Sequence, residues 1–334
     1  MRAVSLVEAE RLEVVDLPVP EPRAGEVLLR VSACGICGSD LTSYKRGLFV
    51  GVPGHEVAGV VEGVAGDVDG WRRGEAAVLQ PSVGCGSCAE CRGGSYHRCI
   101  EALTGGGTAR PGGYAELMTA RADRLRPLAG GLEPEIACLA EPLSVAIHGI
   151  RRIGLVAGED AIVLGLGSIG LLATAALRWL GAGRVFGVEP VDVRRDLAAG
   201  LGAGAVFARV SQARADLDGA PIVLECSGRP EAIQQAIDLA SPGGRVALLG
   251  IAVAEVTVIP VFWITREISV TGSINSQLED FDEALRLLAA RPDIARIVTR
   301  RISLDEVPAT FRALLHPAGV GKVVIDPRLP GSGN

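Results

Sequence analysis

The sequence has 334 residues, long for one hydrophobic core and suited to two, and its 48% hydrophobic and 22% charged content is that of a folded chain rather than a disordered one. A net charge of −6 with no basic cluster argues against a nucleic-acid partner. Glu8, Glu10 and Arg11 precede any apolar stretch long enough for a secretory signal, and the uncharged run from Ala161 to Leu177 is short for a bilayer span and broken by Gly165, Gly167 and Gly170. A cytoplasmic protein with no membrane partner is expected.

In chain order, Met1 to about His148 reads as short strands such as Glu26 to Ser32 and Glu56 to Val64, punctuated by proline and glycine. From about Asp160 the rhythm becomes apolar strand, glycine-rich turn and amphipathic helix, repeated. AIVLGLG leads into a helix from Ile169 to Leu180, then come RVFGV, a helix from Arg194 to Leu201, and the strands PIVLE and RVALLG. DFDEALRLLAA reads as a further helix, and the tail through RISLDEVPATFRALL and GKVVID as helix and strand outside the parallel sheet. The fold class is therefore α/β, a doubly wound parallel sheet over residues 148–279 with a mainly β domain over 1–147 and 280–334.

Gly165, Gly167 and Gly170 form G-L-G-S-I-G after an apolar strand and before a helix, the context of the Rossmann dinucleotide fingerprint. The helix start, with Ser168 and Ile169, offers free N–H groups to a pyrophosphate. Glu189 closes the next strand at about the 20-residue spacing the fingerprint requires, placed to bond ribose hydroxyls and repel a 2′-phosphate, which favours NAD. Arg194 and Arg195 lie far enough past this acid to line the adenine or stand solvated rather than bind a phosphate.

Of eight cysteines, Cys85, Cys88, Cys91 and Cys99 are spaced C-x2-C-x2-C-x7-C on a glycine-rich stretch that can wrap four thiolates round one structural zinc. Two disulfides are disfavoured without a secretory signal, the spacing is also compatible with an iron–sulfur cluster, and His97 is read as an exposed loop histidine. Cys138 and Cys226 lack partners at metal spacing and read as small buried hydrophobes.

CGICGSD (Cys34 to Asp40), GHEVAGVVEGVA (Gly54 to Ala65), the four-cysteine lobe, AEPLSVAIHG (Ala140 to Gly149), the glycine fingerprint and GVGKVVID (Gly319 to Asp326) occur in that order. Together they resemble the zinc-containing medium-chain dehydrogenase/reductase superfamily across essentially the whole chain, nearest in motifs to sorbitol, threonine and polyol dehydrogenases. The resemblance implies a GroES-like catalytic domain, two zinc ions per chain and NAD. It also implies a catalytic zinc bound by Cys37, His55 and a carboxylate, either Glu56 or Glu141. Ser39 would accept the alcohol proton and Asp40 orient the zinc shell, and Thr42 stands where many relatives carry a relaying histidine. Cys34 matches no ligand. Relatives are homodimers or homotetramers.

The implied reaction moves a hydride between a secondary alcohol and nicotinamide. Polar residues Ser39, Thr42, Tyr44, Thr104 and Arg110 are candidates to line the pocket, which points to a polyhydroxylated substrate; Phe49, Leu103 and Trp263 would line an apolar alternative for simple alcohols. A threonine-type amino alcohol is a further alternative. A metal-free reductase or a non-catalytic zinc protein would have lost Cys37, His55 or the carboxylates, and all are present.

Overall fold

The computed structural model describes residues 1–82, 84–100, 111–128, 131–316 and 319–331. The chain forms two compact units, one of Met1–Glu141, Val298–Ala318 and Lys322–Asn334, the other of Pro142–Ile297 and Gly319–Gly321.

The first unit opens with the hairpin β1 (Arg2–Glu8) and β2 (Arg11–Asp16), turned at Glu10 with φ 59°. Then follow β3 (Glu26–Gly35), β4 (Glu56–Val64), β5 (Ala76–Leu79), β6 (Leu117–Arg121) and β7 (Leu125–Pro127). Along β3 the alternate residues Val27, Leu29, Val31 and Ala33 are fully buried, as the two-residue period of a strand requires. The expected strand from Glu26 to Ser32 runs on to Gly35 because its far end finds partners of its own. β4 pairs with β3 antiparallel from Val27↔Val64 to Gly35↔Glu56, so Glu56 stands opposite Gly35 at the strand end that leads into Cys37.

The second unit contains β8 (Ala161–Leu164), β9 (Val185–Val188), β10 (Ala205–Phe207), β11 (Ala220–Glu225), β12 (Ala240–Leu248) and β13 (Ser269–Gly272). Every pair is parallel and the order is β10-β9-β8-β11-β12-β13, the doubly wound arrangement expected from the alternation of strand and helix. β8 and β9 are buried along their whole length, as strands covered on both faces must be. Order reverses between β8 and β11, so the turn after β8 opens at the switch point where such sheets bind ligands.

The chain returns to the first unit with β14 (Val298–Ile302) and β15 (Lys322–Ile325). β15 pairs parallel with β14 and antiparallel with the end of β3 through Val324↔Gly35 and Ile325↔Cys34. The helix Leu278–Ala290, assigned from sequence to the β-rich domain, lies in the second unit. Asp280 ties it there: its carboxylate, 3% exposed, accepts hydrogen bonds from His148 Nδ1 (2.7 Å), Arg151 (2.7 Å) and the Gln277 N–H (3.1 Å).

Burial alone raises the pKa of Asp280, but the bonds from His148, Gln277 and Arg151 outweigh it and the pKa lies below the usual carboxylate value. A depressed acid stabilises the fold above its unfolded pKa of about 3.9, and that stability is lost as pH falls through the folded value. Asp280→Asn should therefore cost about 1.5–3 kcal/mol at neutral pH, with the gap to wild type closing below about pH 4 in denaturant melts. A gap independent of pH would count against the charge as its origin.

Candidate functional site

Cys37 leaves β3 as the N-cap of the helix Gly38–Arg46, in extended backbone (φ −94°, ψ 154°), so its side chain stands at the helix start. Asp40, one turn in, closes the capping box. Its Oδ2 accepts from the Cys37 N–H (3.0 Å) and from the hydroxyl of the buried Tyr114 (2.6 Å), while Oδ1 lies 3.6 Å from His55 Nδ1. Glu56 opens β4 and His55 immediately precedes it. Burial pulls the imidazole pKa down, but Asp40, a hydrogen bond with Cys37 and the charges of Cys37 and Glu141 carry it well above the usual value.

The Cys37 sulfur, a ring nitrogen of His55 and a carboxylate oxygen of Glu56 all lie within 4.8 Å of one another. Glu56 is fully buried, its Oε1 accepts from Lys322 Nζ (2.6 Å) and its Oε2 forms an ion pair with the same ammonium. A thiol, an imidazole and a buried carboxylate gathered at this spacing make a mixed donor set that fits zinc. Glu141 does not join this group, though it is buried nearby: burial, then Glu56 and Asp40, push its carboxyl up to about 7 against the pull of His55 and Lys322.

Cys85, Cys88, Cys91 and Cys99 bring four sulfurs within 4.8 Å of one another, and no disulfide joins them. The short helix Ala89–Arg92 spaces Cys88 and Cys91. Cys85 Sγ accepts from the Ser87 hydroxyl (3.5 Å), the Ser87 N–H (3.4 Å) and the Cys88 N–H (3.2 Å), which hold its pKa down to about 6, whereas burial pushes Cys91 up to about 11. N–H donors aimed at sulfur favour thiolates, as a closed tetrahedral metal site needs. His97 is not in the cluster and, contrary to the sequence expectation, is buried (3% exposed), because the turn Tyr96–Arg98 folds its ring inward.

In the second unit the turn after β8 has Gly165 at φ +87°, where a Cβ would stand 2.7 Å from that of Ser227. A Cβ on Gly170 would collide with the Gly165 carbonyl, whereas one on Gly167 would meet no protein atom, leaving that space for a ligand. The helix Ser168–Trp179 starts here, with Ser168 and Ile169 in its first turn. Glu189 follows β9, nearly buried: Oε2 accepts from the Leu166 N–H (2.8 Å) and Oε1 from the Val191 N–H (3.2 Å). Arg194 donates to the Val320 carbonyl (2.9 Å) and Arg195 to the Glu189 carbonyl (2.7 Å), so both guanidiniums are engaged by the protein.

Tyr44 was expected in the substrate pocket, but it is core: 2% exposed, edge-on to Phe311, its hydroxyl donating to the Glu10 carbonyl (2.7 Å). Thr42 donates to the Gly38 carbonyl (3.2 Å), an ordinary helical back-bond, and Ser39 and Phe49 are partly exposed. Leu103, Thr104 and Arg110 lie outside the described residues. Cys138 is fully buried with its thiol pushed up to about 12, and Cys34 is packed beside Gly54 and Gly113. Sequence reasoning missed Tyr114 and Lys322, whose partners Asp40 and Glu56 are far away along the chain.

The chain matches the alcohol dehydrogenase GroES-like domain over residues 23–130 and the zinc-binding dehydrogenase family over residues 168–290. It is 33% identical to an L-threonine 3-dehydrogenase of Anaeromyxobacter dehalogenans, over 96% of this chain and 98% of that one. It is 32% identical to a D-altritol 5-dehydrogenase of Agrobacterium fabrum, over 93% and 95%. A crystal structure described as a zinc-binding dehydrogenase from Sinorhizobium meliloti 1021, bound to NADP, superposes with a TM-score of 0.88 at 31% identity, covering 98% of this chain and 99% of that one.

Tyr114→Phe removes a donor from Asp40 and leaves a buried carboxylate short of one bond. Stability should fall by about 1–3 kcal/mol and zinc affinity by about 10–100-fold. Thermal melts and chelator competition measure both, and wild-type affinity in a destabilised variant would reduce Tyr114 to a packing role.

Proposed function

Because the chain belongs to the zinc-containing medium-chain dehydrogenase/reductase superfamily, we propose that it is an NAD-linked dehydrogenase of polyhydroxylated secondary alcohols, such as an open-chain polyol, a sugar or an aminocyclitol. The observation that carries this reading is the gathering of Cys37, His55 and Glu56 within 4.8 Å, a mixed-donor set of the kind that leaves room for a substrate oxygen. The likeness to a D-altritol dehydrogenase and the polar side chains Ser39 and Thr42 support the polyol class, and the likeness to threonine dehydrogenases supports an amino alcohol as second reading.

When bound, zinc supplies Lewis acidity that lowers the pKa of the substrate hydroxyl, and the nicotinamide ring supplies the hydride acceptor. The alcohol carbon gives up a hydrogen with its two electrons and the hydroxyl gives up a proton, yielding a ketone, reduced coenzyme and H+. Ser39, in the first turn of its helix, takes that proton. The Thr42 hydroxyl donates to the Gly38 carbonyl (3.2 Å), so a relay that used its hydrogen would have to break that bond. Asp40, fixed by the Cys37 N–H and Tyr114, orients His55. Cys85, Cys88, Cys91 and Cys99 would hold a second, structural zinc. Glu189, at the end of β9, would hydrogen-bond the ribose hydroxyls of NAD and would repel the extra phosphate of NADP.

The partner is a small-molecule alcohol, and no described helix is long and apolar enough to cross a membrane. The assembly is a homo-oligomer: β13 is the edge strand of its sheet, and Val261 and Ile264 on the adjoining helix Val261–Arg266 are 51% and 74% exposed, an apolar surface that a second copy would cover.

Metal analysis of the purified chain should find two zinc ions. Cys37→Ala should keep the fold and lose turnover, while Cys91→Ala should lower the melting temperature first. Full turnover in Cys37→Ala would remove the assigned site. Steady-state kinetics should favour NAD over NADP; equal efficiency would mean Arg194 or Arg195 is available to the phosphate. A panel of ethanol, 2-butanol, threonine, sorbitol, xylitol and inositols with NAD tests the substrate class, with highest kcat/KM expected among the polyols. Highest efficiency with threonine selects the second reading, and with simple alcohols defeats both.

A further inference from the structure

Among the described residues, Lys322 is the one lysine or arginine that is buried, at 1% exposure. It opens β15, and its Nζ donates to the Ile36 carbonyl (2.8 Å) and to Glu56 Oε1 (2.6 Å) while also forming an ion pair with Oε2. The arrangement is closely fitted. A Cβ on Gly35 would collide with Glu56 Oε2 and stand 2.7 Å from Lys322 Cε, so any larger residue there would displace the ion pair. The choice of cation is informative as well. The chain has 33 basic residues, all arginine except Lys45 and Lys322, yet the buried position takes the compact ammonium that behaves as a point charge rather than a planar fork.

We infer that Lys322 is a positioning residue for the proposed catalytic metal centre, fixing the Glu56 carboxylate against Cys37 and His55 and offsetting its charge. The inference rests on the assignment of Cys37, His55 and Glu56 as that centre. Glu56 must stay buried beside Asp40 and Glu141, both acidic, and a buried carboxylate with no cation at hand is held poorly in place. The ammonium is anchored at both ends, by the Ile36 carbonyl and by Glu56, so the carboxylate is tethered to the strand end that carries Cys37. Partners that orient a ligand from behind commonly set how firmly the ion is held.

The test is zinc release from the full chain to a colorimetric chelator, followed in time. Wild type should release two ions in two phases, and the phase missing from Cys37→Ala reports the Cys37 site, with the four-cysteine zinc as internal control. Lys322→Met should speed the Cys37-site phase about tenfold or more and leave the four-cysteine phase unchanged. A wild-type rate in that phase, or equal acceleration of both phases, overturns the inference. A wild-type protein with no Cys37-dependent zinc instead overturns the underlying site assignment, so the two failures are distinct. If Lys322→Met does not accumulate folded, the pair Glu56→Gln and Glu56→Gln/Lys322→Met, which removes both buried charges, decides the matter. Equal release rates in the pair support action through Glu56, and a further tenfold acceleration in the double variant overturns it.

Discussion

The first unit is organised around a single constraint, the burial of the Glu56 carboxylate at the end of β4 opposite Gly35. An ionised carboxylate taken out of water costs several kcal/mol unless a cation and hydrogen-bond donors replace its solvent. Its cation comes from β15, contributed by the C-terminal part of the chain, and β15 reaches Glu56 only by pairing with the last residues of β3. The same pairing fixes the strand end from which Cys37 emerges to cap its helix. The β15–β3 pairing, the glycine at position 35 and the placement of Cys37 and Glu56 thus meet at one buried ion pair.

What could be read from the sequence divides along contact range. The four-cysteine lobe and the glycine fingerprint lie within short stretches, so spacing alone describes their geometry, and the structure brings the four sulfurs together. Cys37 and His55 are too far apart for spacing to imply a site, and family resemblance joined them. Tyr114 with Asp40 and Lys322 with Glu56 depend on strand register across most of the chain, which leaves no local periodicity to detect. Tyr44 misled for the opposite reason. Its hydroxyl suggested a polar pocket, yet a backbone carbonyl satisfies it and the ring fills the core beside Phe311. His97 misled similarly, since a polar loop neighbourhood says little about which way a ring turns.

Glu56 and Glu141 also show why two carboxylates near one site need not be equivalent. Glu56 has a lysine ammonium at its oxygens, whereas Glu141 is raised to about 7 by burial and by its acidic neighbours. By distance, Glu56 rather than Glu141 lies in the group with Cys37 and His55.

A common device links the loops of both units. Asp40 accepts the Cys37 N–H, Glu189 those of Leu166 and Val191, Glu225 those of Ser227 and Gly228, and Asp280 that of Gln277. Each carboxylate is buried and gathers backbone donors that a turn would otherwise leave unpaired. For Glu225 the result is direct: the turn it organises packs Ser227 against Gly165, supporting the first glycine of the fingerprint from behind. Turns held this way need few apolar contacts, so they can be rigid while still exposing backbone to a ligand. A chain with a net charge of −6 and few aromatic residues thereby spends part of its acidity on internal order, which is a reason to read its negative charge as architecture before reading it as a surface for partners.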